Sequence, residues 1–238
     1  MVMHTVAVLA LDGVVAFDLS TPIEVFSRTR LPDGRAAYRV RVCAVTEQVD
    51  AGVFTLRAPW GLDALAEADT IILPGCADPT APVPAEVLHA LRQAADNGTR
   101  IASICAGAFV LAATGLLDGR RATTHWLAAA LLAARHPAVE VDPDVLYVDQ
   151  GQFLTSAGAA AGLDLCLHLI RRDHGSAVAA DAARLSVMPW NARAAKPSSS
   201  STSSLPPLGA RSWSLCCDGS RTMPAVTSLS TTSLPKPA

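Results

Sequence analysis

The thiol of Cys105 stands where the sequence changes character. Ahead of it, "RIASI" (100–104) is a short apolar run; behind it, "AGAFVLAATG" (106–115) has helical spacing. A nucleophile at a strand-to-helix corner is lifted onto a tight turn. The segment Ser103-Ile104-Cys105-Ala106-Gly107 has this elbow form, with Ser in the position of the first Gly. Ala and Gly after the cysteine let the turn tighten. A helix N-terminus favours thiolate, so Cys105 is expected to be the most oxidation-prone thiol of the folded body. Two further features sit at strand ends: Gly75, after "TIILP", and Asp18, after the first strand. Backbone N–H groups of Ala106 and Gly75 would form an anion pocket. The Asp18 carboxyl would share a proton with the sulfur. Cys76 approaches the same place because it follows Gly75. Spacing alone leaves plainer roles open. Cys105 would then be a small buried hydrophobe, Asp18 a turn or cap residue, and His125 a structural histidine at a helix start.

These residues need a frame that gathers strand ends. "HTVAVLAL" (4–11) and "DTIILPG" (69–75) are continuous apolar runs, as in strands covered on both faces. "YRVRVCAV" (38–45) alternates, and 53–56 is a short β candidate. Helices are expected from about Ile23, over 84–98 with Asn97-Gly98 as the stop, and over 123–135 with Thr123 or Thr124 as N-cap. Two or three strands lie in 139–156, turning at Asp149-Gln150-Gly151. A buried helix over 158–175 precedes a last one ending near Val187. Strands alternating with helices imply βαβ units, a parallel sheet and helices on both faces. Open α/β sheets bind ligands at their strand ends.

Composition narrows the class. The chain has 238 residues and is 50% hydrophobic, enough for one sizeable core. The N-terminus lacks the basic start of a secretion signal, and no apolar run approaches the roughly 18–20 residues of a membrane span. The cysteines show no metal or disulfide spacing, so the expectation is free thiols in a reducing cytoplasm, with no metal and no cofactor. Residues 1–188 carry 14 Arg and 20 Asp/Glu, a formal charge of −6, with no basic patch for a phosphate backbone. Residues 189–238 differ in kind. They hold both lysines of the chain, 12 of its 18 serines and seven prolines, without periodicity. They are expected to be a low-complexity, disordered tail. Their composition is also what GC-rich DNA read out of frame would give, so a frameshift remnant is a further expectation.

The segments "LALDGVVAFDLSTPIEVF", "IILPG", "ASICAGAFVLAATGLLDGRRATTHW" and "LTSAGAAAGLDLCLHLIRRDHG" together resemble the PfpI-type domain of the class I glutamine-amidotransferase-like superfamily. Within it, the likeness is strongest to the ligand-sensing half of GlxA/AraC-type transcriptional regulators. Isonitrile hydratase and the parkinsonism-associated deglycase are more distant. The resemblance spans about residues 4–188 and implies a flavodoxin-like three-layer α/β/α sandwich with a mostly parallel sheet. It also implies a homodimer. By position it makes Cys105 the elbow cysteine, Asp18 its acidic partner and Gly75 and Ala106 the backbone donors. It places His125 of "ATTHW" near the pocket, where His125 would touch a ligand or assist catalysis. Two departures stand out: Ala106 occupies the place of the His that follows the nucleophile in protease-like members, and Cys76 replaces the second Gly of the usual Pro-Gly-Gly. The function implied is small-molecule sensing by Gly75, Cys76, Cys105, Ala106 and His125 in a regulator. The regulator's helix-turn-helix domain is not seen in this sequence, so this chain alone is not expected to bind DNA. The alternative is a cysteine-dependent hydrolase, hydratase or deglycase-like enzyme.

Overall fold

The computed structural model describes residues 3–187; the expectations for 189–238 lie outside the described residues. The apolar run at the start becomes β1 (His4–Leu9), in which Val6, Ala7 and Val8 are wholly buried. It occupies an interior position of a six-stranded sheet. On one side it pairs in parallel with β2 (Tyr38–Cys43), on the other with β5 (Thr70–Leu73), which pairs in turn with β6 (Arg100–Ile104). Beyond β6 come β10 (Phe153–Ser156), parallel, and β9 (Tyr147–Gln150), antiparallel, for the order β2-β1-β5-β6-β10-β9. A small hairpin of β3 (Gln48–Asp50) and β4 (Thr55–Arg57) and a short pair of β7 (Arg121–Ala122) and β8 (Glu140–Val141) lie outside this sheet.

The chain leaves β1 towards β2 and then returns across it to β5. Right-handed crossovers therefore put the first helix on one face and the next two on the other. On the first face α1 (Ala16–Arg28) packs with α5 (Ala160–Leu185). The other face carries α2 (Ala85–Asp96) and α3 (Gly107–Ala113), joined where Arg92 donates to the Thr114 carbonyl at 2.9 Å. A fifth helix, α4 (Ala129–Arg135), follows a single 3-10 turn, Trp126–Ala128. The reversal at β1 makes the gap between the ends of β1 and β5 the switch point of the sheet, where such folds form crevices.

Two sequence expectations need correction. The first helix starts at Ala16, well before Ile23, so Asp18 sits in its first turn and not in a loop. Pro22 suggests a loop by its type; it lies inside the helix, where it leaves the Asp18 carbonyl without its i+4 N–H donor. The Thr21 hydroxyl donates to the Phe17 carbonyl at 2.8 Å. Neither Thr123 nor Thr124 caps the next helical segment: His125 does, its Nδ1 accepting from the Leu127 N–H at 3.3 Å. The two helices read after residue 158 are both present: α5 is interrupted at Gly175, whose φ of 84° and ψ of 174° suit glycine alone, and a second helical stretch follows.

At the opposite end of the strands from Cys105, a buried polar cluster staples α5 to the sheet. Arg100 of β6 grips Asp173 through two bonds of 2.8 and 2.7 Å, and the Tyr38 hydroxyl donates to the same carboxylate at 2.9 Å. Arg100 Nε also reaches Thr70 Oγ1 at 3.0 Å. This anchor lies just before the Gly175 break and holds the helix whose other end enters the candidate site.

Candidate functional site

Cys105 follows β6 directly and has a φ of 56°, in the left-handed region that costs a side-chain-bearing residue about 1–2 kcal/mol. Its surroundings hold it there. Its N–H donates to the Ser156 carbonyl at 3.0 Å, and its carbonyl accepts from the buried Thr124 hydroxyl at 2.8 Å and from the Ala108 N–H at 3.3 Å. Three glycines make room. A Cβ on Gly107 would lie 2.0 Å from the Leu73 carbonyl oxygen, so only glycine lets α3 start this close to β5. A Cβ on Gly158 would lie 2.3 Å from Cys105 Cβ and 2.9 Å from its sulfur. A Cβ on Gly75 would fall 2.5 Å from Asp18 Oδ2, 3.0 Å from Cys105 Cβ and 3.3 Å from the Ala106 nitrogen. The carboxylate, the thiol-bearing carbon and the first peptide of the elbow therefore converge on one methyl-sized space.

Asp18 reaches this space from α1 and is only 2% exposed. Its Oδ1 accepts from the Ala159 N–H at 3.0 Å. Ala159 opens α5 with a φ of 49°, so the strained start of that helix rests on the carboxylate. The buried Oδ2 has no hydrogen bond of good geometry and faces the Cys105 thiol and the Gly75 N–H. Burial pushes the Asp18 carboxyl above its usual range, against the opposing pull of Ala159, Cys105, His125 and Gly75. Burial, and then the nearby Asp18 charge, push the Cys105 thiol up; the Ala106 N–H facing the sulfur works the other way and loses. The expectation of a helix-stabilised thiolate is thereby reversed. The helix behind the elbow has seven residues, and its weak dipole does not offset desolvation beside a carboxylate.

Of the other sequence candidates, His125 is half-buried, lies within electrostatic range of Asp18 and is lowered in pKa by burial. Gly75 and Ala106 flank the sulfur as expected, although the Gly75 N–H addresses Asp18 and not an open anion pocket. Cys76 is partly exposed, and its sulfur donates to the Asp78 carbonyl at 3.5 Å. Its backbone bridges to Val14, and the Val15 N–H donates to the Gly75 carbonyl at 2.8 Å, tying the two loops of the switch point together. Four site-building residues escape a reading of the sequence: Thr124, Ser156, Gly158 and Ala159. Only Gly158, placed right after a strand in an alanine-rich run, carries a local signal. Among the described residues no three His, Cys, Asp or Glu side chains gather as a metal set, and no helix is long and apolar enough to cross a membrane.

With the geometry of the buried Asp and the left-handed elbow cysteine given, the chain can be compared with known proteins. The profile of the DJ-1/PfpI family matches residues 4–172. This chain belongs to the DJ-1/PfpI family. Over 138 residues it is 41% identical to an uncharacterized protein of Streptomyces lividans, covering 57% of this chain and 96% of that one. It is 30% identical over 179 residues to the HTH-type transcriptional regulator GbdR of Pseudomonas aeruginosa, covering 74% of this chain. It spans about half, 48%, of GbdR's length. With the isonitrile hydratase of Pseudomonas putida it shares 39% identity over 84 residues, covering 35% of this chain and 36% of that enzyme. Among solved structures, an AraC family transcriptional regulator from Pseudomonas putida superposes with a TM-score of 0.68 at 20% identity, covering 76% of this chain and 98% of that one. The DJ-1/PfpI fold thus accounts for the parallel sheet and the elbow, and AraC/GlxA-type regulators are among the chain's relatives.

Proposed function

We propose that residues 1–188 are the small-molecule-sensing domain of an AraC/GlxA-type regulator, acting as a cytoplasmic homodimer, with Asp18, Gly75, Cys76, Cys105, Ala106 and His125 forming the recognition corner. The observation that carries this reading is the burial of the thiol. Cys105 is 7% exposed, and burial and then Asp18 push its thiol up, which suits a group that recognises and does not attack. The likeness to GbdR over 179 residues supports it. The formal charge of −6 on these residues fits a domain that does not itself contact DNA.

One feature favours a second reading. Asp18 Oδ2 is buried, lacks a well-formed bond and faces the thiol, as a proton acceptor would. In a cysteine-dependent enzyme the sulfur would add to an electrophilic carbon while its proton passes to Asp18, and the Ala106 N–H would face the developing anion. Turnover of an alkyl isonitrile and of an α-oxoaldehyde, measured for the wild type and for Cys105→Ser, separates the two. The sensing reading expects no Cys105-dependent turnover of either compound. Turnover that vanishes in Cys105→Ser establishes the enzyme instead.

A further inference from the structure

A sizeable crevice lies away from Cys105. It has a volume of 470 Å³ and lies over the carboxyl ends of β1, β2 and β5, at the switch point of the sheet. That volume falls within the roughly 300–1,000 Å³ of small-molecule sites. Neither Cys105, Asp18 nor His125 lines it; the turn that carries Gly75 to the elbow contributes Cys76 to the crevice. The floor is apolar, built from Ala10, Val49, Phe109 and Val110, all buried. One wall is the segment 79–84, where Pro79, Pro82 and Pro84 fix the backbone and lower the cost of ordering it around an occupant.

The rim is acidic. Asp12 accepts from the Asp50 N–H at 2.9 Å, and Asp78 accepts from the Thr80 N–H at 2.8 Å and its hydroxyl at 2.6 Å. These bonds orient both carboxylates, and those from Thr80 hold the Asp78 carboxyl below the usual range. Arg135 is the cation of the lining. Its Nη1 donates to the Thr80 carbonyl at 3.3 Å, beside Asp78. His136 is held down by burial and is neutral at pH 7. Two carboxylates against one guanidinium leave the rim net negative, on a body that is itself acidic. An anion entering here would meet Asp12 and Asp78; a cation would meet its complement.

We propose that this crevice is a second small-molecule site, adjoining the Cys105 corner at Cys76 but free of Cys105, Asp18 and His125, that takes an organic cation with an apolar body: the body on Phe109 and Val110, the charge towards Asp12 and Asp78. The proposal stands whether the Cys105 corner senses or catalyses.

Cys76 supplies the readout, because it lines the crevice and is partly exposed while Cys43, Cys105 and Cys166 are buried. The experiment follows iodoacetamide labelling of Cys76 in the full chain by peptide mass spectrometry. Phenylguanidinium is the probe, and phenylurea is its neutral isostere. Phenylguanidinium at four times its dissociation constant should slow Cys76 labelling about fivefold, and phenylurea at the same concentration should leave it near the unprotected rate. Protection should persist in Cys105→Ser and disappear in the double variant Asp12→Asn/Asp78→Asn. Slow labelling of buried Cys43 verifies that each variant is folded. Should the double variant not fold, Ala113→Phe, which fills the crevice from α3, should abolish protection in its place. No protection by phenylguanidinium up to its solubility limit overturns the proposal. So does equal protection by phenylurea. Protection lost in folded Cys105→Ser places the probe in the elbow corner and overturns the separate site.

Discussion

Gly158→Ala tests whether the elbow is held by close packing or by backbone conformation alone. Gly158 has a φ of 87°, so any side chain there carries the left-handed penalty of about 1–2 kcal/mol. The added methyl also meets Cys105 at 2.3 Å from Cβ, 2.9 Å from Cα and 2.9 Å from the sulfur, all closer than unstrained contact. Cys105 cannot swing away, since its N–H and its carbonyl are engaged by Ser156 and Thr124. Overpacking of this kind costs about 1–3 kcal/mol, so the whole loss should be about 2–5 kcal/mol. For a domain of this size that lowers Tm by roughly 5–15 °C. The control is Gly98→Ala. Gly98 has a φ of 84° with nothing within 4 Å of the new methyl, so this variant carries the backbone penalty without the clash. Urea unfolding of the wild type and both variants measures the difference. Equal losses at the two sites would show that Gly158 serves the turn and not the sulfur, and the packed-elbow argument would fail.

Two other outcomes follow from the buried charges. Arg100→Ala leaves Asp173 without its guanidinium in a site where both side chains are 13% exposed, and should cost about 3–5 kcal/mol in urea unfolding; a loss below about 1 kcal/mol would mark the pair as a surface-like one. Burial alone would raise the Asp173 carboxyl, but the Arg100 hydrogen bonds and charge prevail and hold it low, so its stabilisation is present above the unfolded carboxyl range and lost as pH falls through the folded value. Asp18 has the opposite sign: its folded pKa is raised, so its contribution is full at low pH and is lost as pH rises through the folded value. Asp18→Asn keeps an oxygen for the Ala159 N–H and removes the titration, so the variant should gain stability relative to wild type as pH rises above the unfolded carboxyl range; parallel stability curves there would contradict the buried-carboxyl assignment.

The amino-acid sequence by itself determined the fold class. Continuous apolar runs at 4–11 and 69–75 read as strands covered on both sides, and "SICAG" reads as a strand joined to a helix with small residues at the corner. The resemblance read from those segments holds in the family to which the chain belongs. Element boundaries are less legible where one residue type serves two purposes. Pro22 looks like a helix stop because local propensity counts the lost N–H but not the packing of α1 against α5 that sustains the helix through it. Gly175, by contrast, closes one helix where the sequence reading ends it. What only the tertiary structure decided is the chemistry at the sulfur. Spacing places Cys105 at a helix start, which by itself favours thiolate; the order β1-β5-β6 brings Asp18 beside it, and α5 seals both from water. The pull of the helix dipole is local and readable from the chain. Desolvation and the facing carboxylate come from segments far apart in sequence. Together they outweigh the dipole, so the fold buries the thiol of a nucleophile-like sequence and pushes it up.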